Sequence, residues 1–228
     1  MRINMKKIRV LTVIYNVPIQ EREVVLFRGA VLNKLGEQSS VLFHNHTGDD
    51  TFRYAYPLIQ YKRLDGKAAI VCVEEGIEQV GQVLTKLSGT IRLGERVTSC
   101  EVERVIPAEE SIDISEQYAT YRLNYWLPLN GKNYKEYLET ESMVEKIALL
   151  ERILAGNLLS FLKGINIRLE QHFDLTITEM LNQRIIVYKG VKLMSFEVKF
   201  KTNISLPSNI GIGKNASIGC GVLLKITN

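Results

Sequence analysis

The chain of 228 residues lacks any apolar run of membrane-spanning length, which excludes a bundle of transmembrane helices. It has only three cysteines, Cys72, Cys100 and Cys220, and none are closely spaced. That scarcity excludes a disulfide framework or a zinc ribbon and points to a reducing compartment. Neither sign of charge dominates, with 29 Lys and Arg against 25 Asp and Glu for a formal charge of +4. The balance permits an anionic partner without demanding one, because basic residues also spread over ordinary surfaces. The stretch Met1-Arg2-Ile3-Asn4-Met5-Lys6-Lys7 has charge but no apolar core behind it, so no secretory leader is expected and a cytoplasmic, soluble protein is. What is present is apolar material: 46% hydrophobic residues can build a core, and the length suits two domains.

Periodicity orders the first half as β-α-β-β-α-β. Ile8 to Tyr15 reads as a strand, and Pro18 with Gln20-Glu21 opens a helix whose Val24, Phe27, Val31 and Leu35 share one face before Gly36 stops it. Asp65-Gly66 joins two apolar runs as a tight hairpin. Ile77, Val80, Gly81, Leu84 and Leu87 recur at helical spacing, and Val97 to Ile106 reads as a closing strand. Two helices on one face of an antiparallel sheet make a ferredoxin-like unit.

The acidic, turn-rich Pro107 to Glu116 reads as a linker. Beyond it Ala119, Tyr121, Leu123, Tyr125 and Leu127 alternate along a strand, with Trp126 expected on the opposite face and Asn130-Gly131 as its end. Met143, Ile147, Leu150, Leu154, Leu158 and Phe161 form the stripe of a long helix ending near Gly164. Ile165 to Ile177 alternates as a strand, which places His172 on its solvated side, and Lys189-Gly190 marks a further hairpin. The expected fold class is α+β: tandem ferredoxin-like (RRM-like) domains with antiparallel sheets, residues 1–107 and 116–228, and a C-terminal glycine-rich loop. The second helix of the second domain is not visible in the periodicity.

That loop is the densest signal in the chain. Gly211-Ile212-Gly213-Lys214-Asn215-Ala216-Ser217-Ile218-Gly219-Cys220-Gly221 sets two Gly-x-Gly pairs around a short basic centre, immediately before the strand Val222 to Ile226. Glycine permits conformations closed to other residues and lets another chain approach, so the loop reads as a run of exposed amides with one lysine, suited to a phosphate backbone. A plain hairpin loop is the competing reading.

The second signal is Phe43-His44-Asn45-His46-Thr47-Gly48-Asp49-Asp50. Residues two apart in extended chain point the same way, so both imidazoles can face one phosphate and divide acid and base work. Lys34 upstream and Tyr54 or Tyr56 downstream offer a cation and a phenol. Idle surface histidines are the competing reading, and metal binding with Asp49 or Asp50 rests on weak spacing. Lys62-Arg63 and Lys199 with Lys201 read either as surface charges or as the lining of an RNA groove.

Together these features resemble the CRISPR-associated precursor-RNA endoribonucleases of the repeat-associated mysterious protein superfamily, in the subgroup with paired histidines. The resemblance spans nearly the whole chain and is most specific from Leu206-Pro207 through Gly221-Val222. It implies metal-independent cleavage within CRISPR repeats, with no cofactor and no metal site, by attack of a ribose 2′-hydroxyl. It assigns His44 and His46 as acid and base in unspecified order, Lys34 to phosphorane charge and Tyr54 to phosphate placement. It assigns Gly211, Gly213, Lys214, Gly219 and Gly221 to RNA binding. The implied partners are CRISPR repeat RNA, other effector-complex subunits and a second copy of the chain, with no membrane. Cys220 stands where the family commonly has an aromatic residue. A non-catalytic RNA-binding subunit of an effector complex is the alternative function; a metabolic enzyme on the same scaffold ranks last.

Overall fold

The computed structural model describes residues 6–36, 43, 56–188 and 190–226. The chain divides into two compact units, Lys7–Glu110 with Ser217–Gly219, and Ser111–Ala216 with Cys220 onward. Each is ferredoxin-like.

In the first unit, β1 (Lys6–Pro18) leads through a short 3-10 turn into α1 (Val24–Leu35). The turn is set by Gln20, whose N–H donates to the Glu23 carboxylate at 2.7 Å. The hairpin β2 (Ile59–Leu64) and β3 (Lys67–Val73) turns through Asp65 and Gly66 at φ 49° and 80°, the left-handed pair that a tight hairpin requires. After α2 (Val80–Lys86) comes a second hairpin, β4 (Gly89–Leu93) and β5 (Arg96–Cys100), then β6 (Val102–Ile112). The sheet order β2-β3-β1-β6 places the unit's last strand beside its first. Alternation sends Val13, Tyr15, Ile59, Tyr61, Ile70 and Cys72 to one face, where they meet Val24, Phe27, Val31 and Leu35 of α1 and Val80 and Val83 of α2. Each such side chain contributes about 1.5–3 kcal/mol on full burial.

The second unit repeats the plan with β7 (Ile114–Trp126), α3 (Gly131–Glu139), α4 (Met143–Gly164), β8 (Leu175–Tyr188), β9 (Val191–Ile204) and β10 (Val222–Ile226). Its order, β10-β7-β9-β8, is again last-first-third-second. Leu150, Leu154, Leu158 and Phe161 of α4 are fully buried, as are Tyr121, Leu123, Val198, Phe200 and Leu223 of the sheet. No helix lies between β9 and β10; the glycine-rich segment takes its place. Among the described residues no helix is long and apolar enough to cross a membrane.

Several sequence expectations need correction. Pro107 to Glu116 is strand on both sides of Asp113, whose N–H and C=O bond the hydroxyl and N–H of Ser205 at 3.0 and 2.9 Å. Val97 to Ile106 is not one strand: Cys100 ends β5, and Glu101 exchanges bonds with Asn16 at 2.8 and 3.0 Å before β6 begins. Trp126 does not face away from its neighbours. A bulge between Leu123 and Trp126, with Tyr125 at φ 54°, returns it to the core face, where it meets Phe196 edge-on at 6.3 Å. Asn130 does not simply end a strand; its side chain caps α3 by accepting from the Asn133 N–H at 2.9 Å. Ile165 to Phe173 is not strand either. Asn166, at φ 58°, ends α4 in a left-handed cap, with the Ile167 N–H donating to the Leu162 carbonyl at 2.8 Å. Ile165 and Ile167 are therefore apolar because they seal a helix end, and His172 is exposed on a loop. Lys62 is fully buried rather than a surface charge, and Lys199 pairs with Glu179 at 2.9 Å.

The core of the second unit predicts its own mutational profile. Phe200→Ala, which removes a ring stacked on Tyr121 at 5.6 Å, is expected to cost about 3–5 kcal/mol in chemical denaturation. Val187→Ala, near the exposed tip of the β8–β9 hairpin, is expected to change stability by less than about 0.5 kcal/mol in the same measurement.

Candidate functional site

The glycine-rich segment is a formed structure whose shape follows from its own backbone bonds. Asn209 to Ile212 runs antiparallel to the start of β10, with Asn209 N–H to Leu223 O at 2.7 Å, Leu223 N–H to Ile210 O at 2.9 Å and Ile212 N–H to Gly221 O at 2.7 Å. Gly221 has φ 63°, and a Cβ there would sit 1.9 Å from the Ile212 carbonyl oxygen. Gly213 has φ 87°, and its Cβ would lie 2.7 Å from Asn157 Oδ1, which itself accepts the Trp126 indole N–H at 3.0 Å. Ile210, Ile212, Ala216 and Cys220 are buried, as is Gly211. The segment is thus not a run of exposed amides, and at Gly213 and Gly221 packing within the protein alone excludes a side chain. Lys214 is the exposed residue at its centre and makes no hydrogen bond or ion pair with a described residue.

Ser217 to Gly219 belongs to the first unit. Ser217 accepts the Tyr61 N–H at 2.8 Å, and Ile218 bridges Tyr61 in parallel, which sets a short segment of chain beside the β2 edge of that sheet. Gly219, at φ 90°, would press a Cβ to 3.2 Å from Val24, the first residue of α1. No sequence signal announces this pairing, because three residues carry no periodicity.

The core beneath α1 is rich in groups that titrate elsewhere but not here. Phe27 lies between the rings of Tyr15 and Tyr61, at 5.7 and 6.2 Å. Burial raises both phenols above their ordinary range, and neither hydroxyl has a partner among the described residues. Burial also pushes the Cys72 and Cys100 thiols up to about 12. All four groups stay protonated at neutral pH and cannot act as bases there.

His44, His46 and Tyr54 lie outside the described residues. Their flanks do not. Lys34 is exposed in the last turn of α1, where its charge reaches the Cys100 thiol and opposes the rise that burial causes. Gly36 follows at φ 74° with its N–H on the Leu32 carbonyl at 3.0 Å. Phe43, the residue before His44, is buried in the same core as α1. Tyr56, the other candidate phenol, accepts a 2.7 Å bond from the buried Gln60 side chain. The histidine segment therefore leaves one core side chain and rejoins another held residue twelve positions after His44.

The chain matches the family model of the Cas6b N-terminal domain over residues 6–111 and that of the Cas6b C-terminal domain over residues 113–226. An uncharacterised protein of Methanocaldococcus jannaschii is 33% identical over 118 residues, which cover 51% of this chain and 79% of that one. Among solved structures, a Cas6b crystal structure aligns with TM-score 0.85 at 23% identity, over 97% of this chain and 100% of the other. A CRISPR RNA processing endoribonuclease Cas6b aligns with TM-score 0.75 at 22% identity, over the same shares of the two chains. At these identities the structures bear on the fold.

The close approach at Gly213 can be read from the chain's single tryptophan. Gly213→Ala is expected to displace the Trp126–Asn157 bond, red-shift the Trp126 emission and lower the melting temperature. Unchanged fluorescence would mean that the loop does not press on the indole.

Proposed function

The chain belongs to the Cas6b family, and from that premise we propose that it is a CRISPR RNA processing endoribonuclease that cuts precursor transcripts within their repeats. The observation that carries the reading is the His44 and His46 pair, which directly follows the core residue Phe43 in a chain whose two halves match the family's two domains.

The chemistry follows from the residue types. One imidazole takes the proton from the ribose 2′-hydroxyl next to the scissile phosphate. The 2′-oxygen attacks phosphorus, the bond to the 5′-oxygen breaks, and the other imidazole protonates that leaving oxygen. The products are a 5′-hydroxyl and a 2′,3′-cyclic phosphate. Imidazoles suit both halves because they titrate near neutral pH, so acid and base need no metal ion. Lys34 is the cation available to balance charge on the pentacoordinate phosphorus, and Tyr54 orients the phosphate. Gly211, Gly213, Lys214, Gly219 and Gly221 form the proposed RNA-binding loop. In it Lys214 supplies the charge and the glycines hold the backbone in shape beneath it.

Purified protein mixed with repeat RNA in excess chelator is expected to release a 5′-hydroxyl product, and a 2′-deoxy residue at the cleavage site should abolish it. His44→Ala and His46→Ala should each slow single-turnover cleavage by about two to four orders of magnitude. Wild-type rates in both variants, or scission of the deoxy substrate, would remove the proposed mechanism. Binding without any scission would leave the chain an RNA-binding subunit.

Lys214→Ala is expected to weaken repeat-RNA binding and to lower the slope of log K against log salt by about one. The cleavage rate at saturating protein should stay unchanged. A full salt slope in this variant would place Lys214 away from the phosphates.

A further inference from the structure

Helix α4 carries an apolar side chain where a solvated face is expected. Leu159 is 51% exposed, although Leu158 and Leu162 beside it are buried. Around it lies a groove of about 620 Å³ between the C-terminal half of α4 and the loop after its cap. Ala155, Leu159 and Leu162 line it from the helix at i, i+4 and i+7 spacing, and Ile167, Leu169 and Phe173 line it from the loop.

The edges of this groove are cationic. Lys163, Arg168 and His172 line it and are exposed, and none of their side chains makes a hydrogen bond or ion pair with a described residue. Three other exposed cations of the same unit have acidic partners: Arg152 with Glu136, Arg122 with Glu197 and Lys135 with Glu139. One carboxylate, Glu170, sits among the three basic groups. Two fixed positive charges and an imidazole thus surround an aliphatic lining with one acid between them.

We propose that this groove docks an amphipathic helix of a partner protein, one that offers aliphatic anchors flanked by Asp and Glu. Anchors spaced along one face of a partner helix would replace water over Leu159, Ile167 and Phe173, and flanking carboxylates would meet Lys163 and Arg168. RNA fits the same lining poorly. Base recognition uses aromatic stacking and hydrogen bonds to base edges, whereas this groove sets only Phe173 and the exposed His172 on a lining that is mainly aliphatic. None of the residues assigned to cleavage takes part, so the two readings stand or fall separately.

The probe is a fluorescein-labelled helical peptide with Leu at i, i+3, i+4 and i+7 positions and Glu elsewhere, titrated with the full chain by fluorescence polarisation. Saturable binding is expected, weakened about tenfold or more by Leu159→Glu and severalfold by Lys163→Glu with Arg168→Glu or by added salt. The same peptide with Lys for Glu should bind far more weakly. Because Leu159 is already half exposed, Leu159→Glu should keep the melting temperature and the RNA cleavage rate. Absence of saturable binding, equal binding of the Lys peptide, or an unaffected Leu159→Glu variant would overturn the proposal. So would a loss of repeat-RNA affinity in that variant, which assigns the groove to nucleic acid. A self-association removed by Leu159→Glu would assign it to a second copy and overturn the proposal as well.

Discussion

The backbone of Gly221 passes so close to the Ile212 carbonyl that no side chain fits between them. The architecture of the C-terminal unit depends on that approach. A ferredoxin-like unit needs a connection from its third strand to its fourth, and a helix normally covers that step. Here the chain instead folds back on β10 through Asn209 to Ile212 and spends its amides on its own carbonyls. With those bonds made, Ile210, Ile212, Ala216 and Cys220 are buried, while Ile218 is half-buried. Lys214 is left outside because the compact loop has no room for it.

This explains what was readable in the residues and what was not. Strong periodic patterns carried through: the α1 face, the α4 stripe and the Asp65-Gly66 hairpin stand where their spacing puts them. Failures arose where one apolar pattern has two physical origins. Ile165 and Ile167 alternate like a strand, yet alternation over two residues also suits a helix cap packed on its own last turn. Trp126 looks outward by strict period two, but one bulged residue reverses the parity of all that follows. Pro107 to Glu116 has the composition of a linker, yet Pro and Glu are also how an edge strand such as β6 avoids pairing with its neighbours.

The glycine motif was legible as a formed loop, and the structure gives a reason for two of its glycines that needs no ligand. Glycines suggested an approaching ligand; at Gly213 and Gly221 the approaching groups are Asn157, Trp126 and the Ile212 carbonyl. Conformational demand and ligand demand leave the same mark in a sequence. The histidine pair lies outside the described residues, so only its flanks bear on it. What the structure adds there is the setting: a buried aromatic before the pair, a held tyrosine after it, and a core whose phenols and thiols are locked in their protonated forms.

The membership of Ser217 to Gly219 in the first unit has a consequence for how the chain is made. Ribosomal synthesis delivers β1 through β6 long before those three residues, so the nascent sheet waits with the outer edge of β2 bare at Tyr61. A bare strand edge invites pairing with other chains. Translation must therefore reach Ser217 before that edge is closed, and a transcript truncated upstream of it yields a first sheet that is fully encoded yet left sticky.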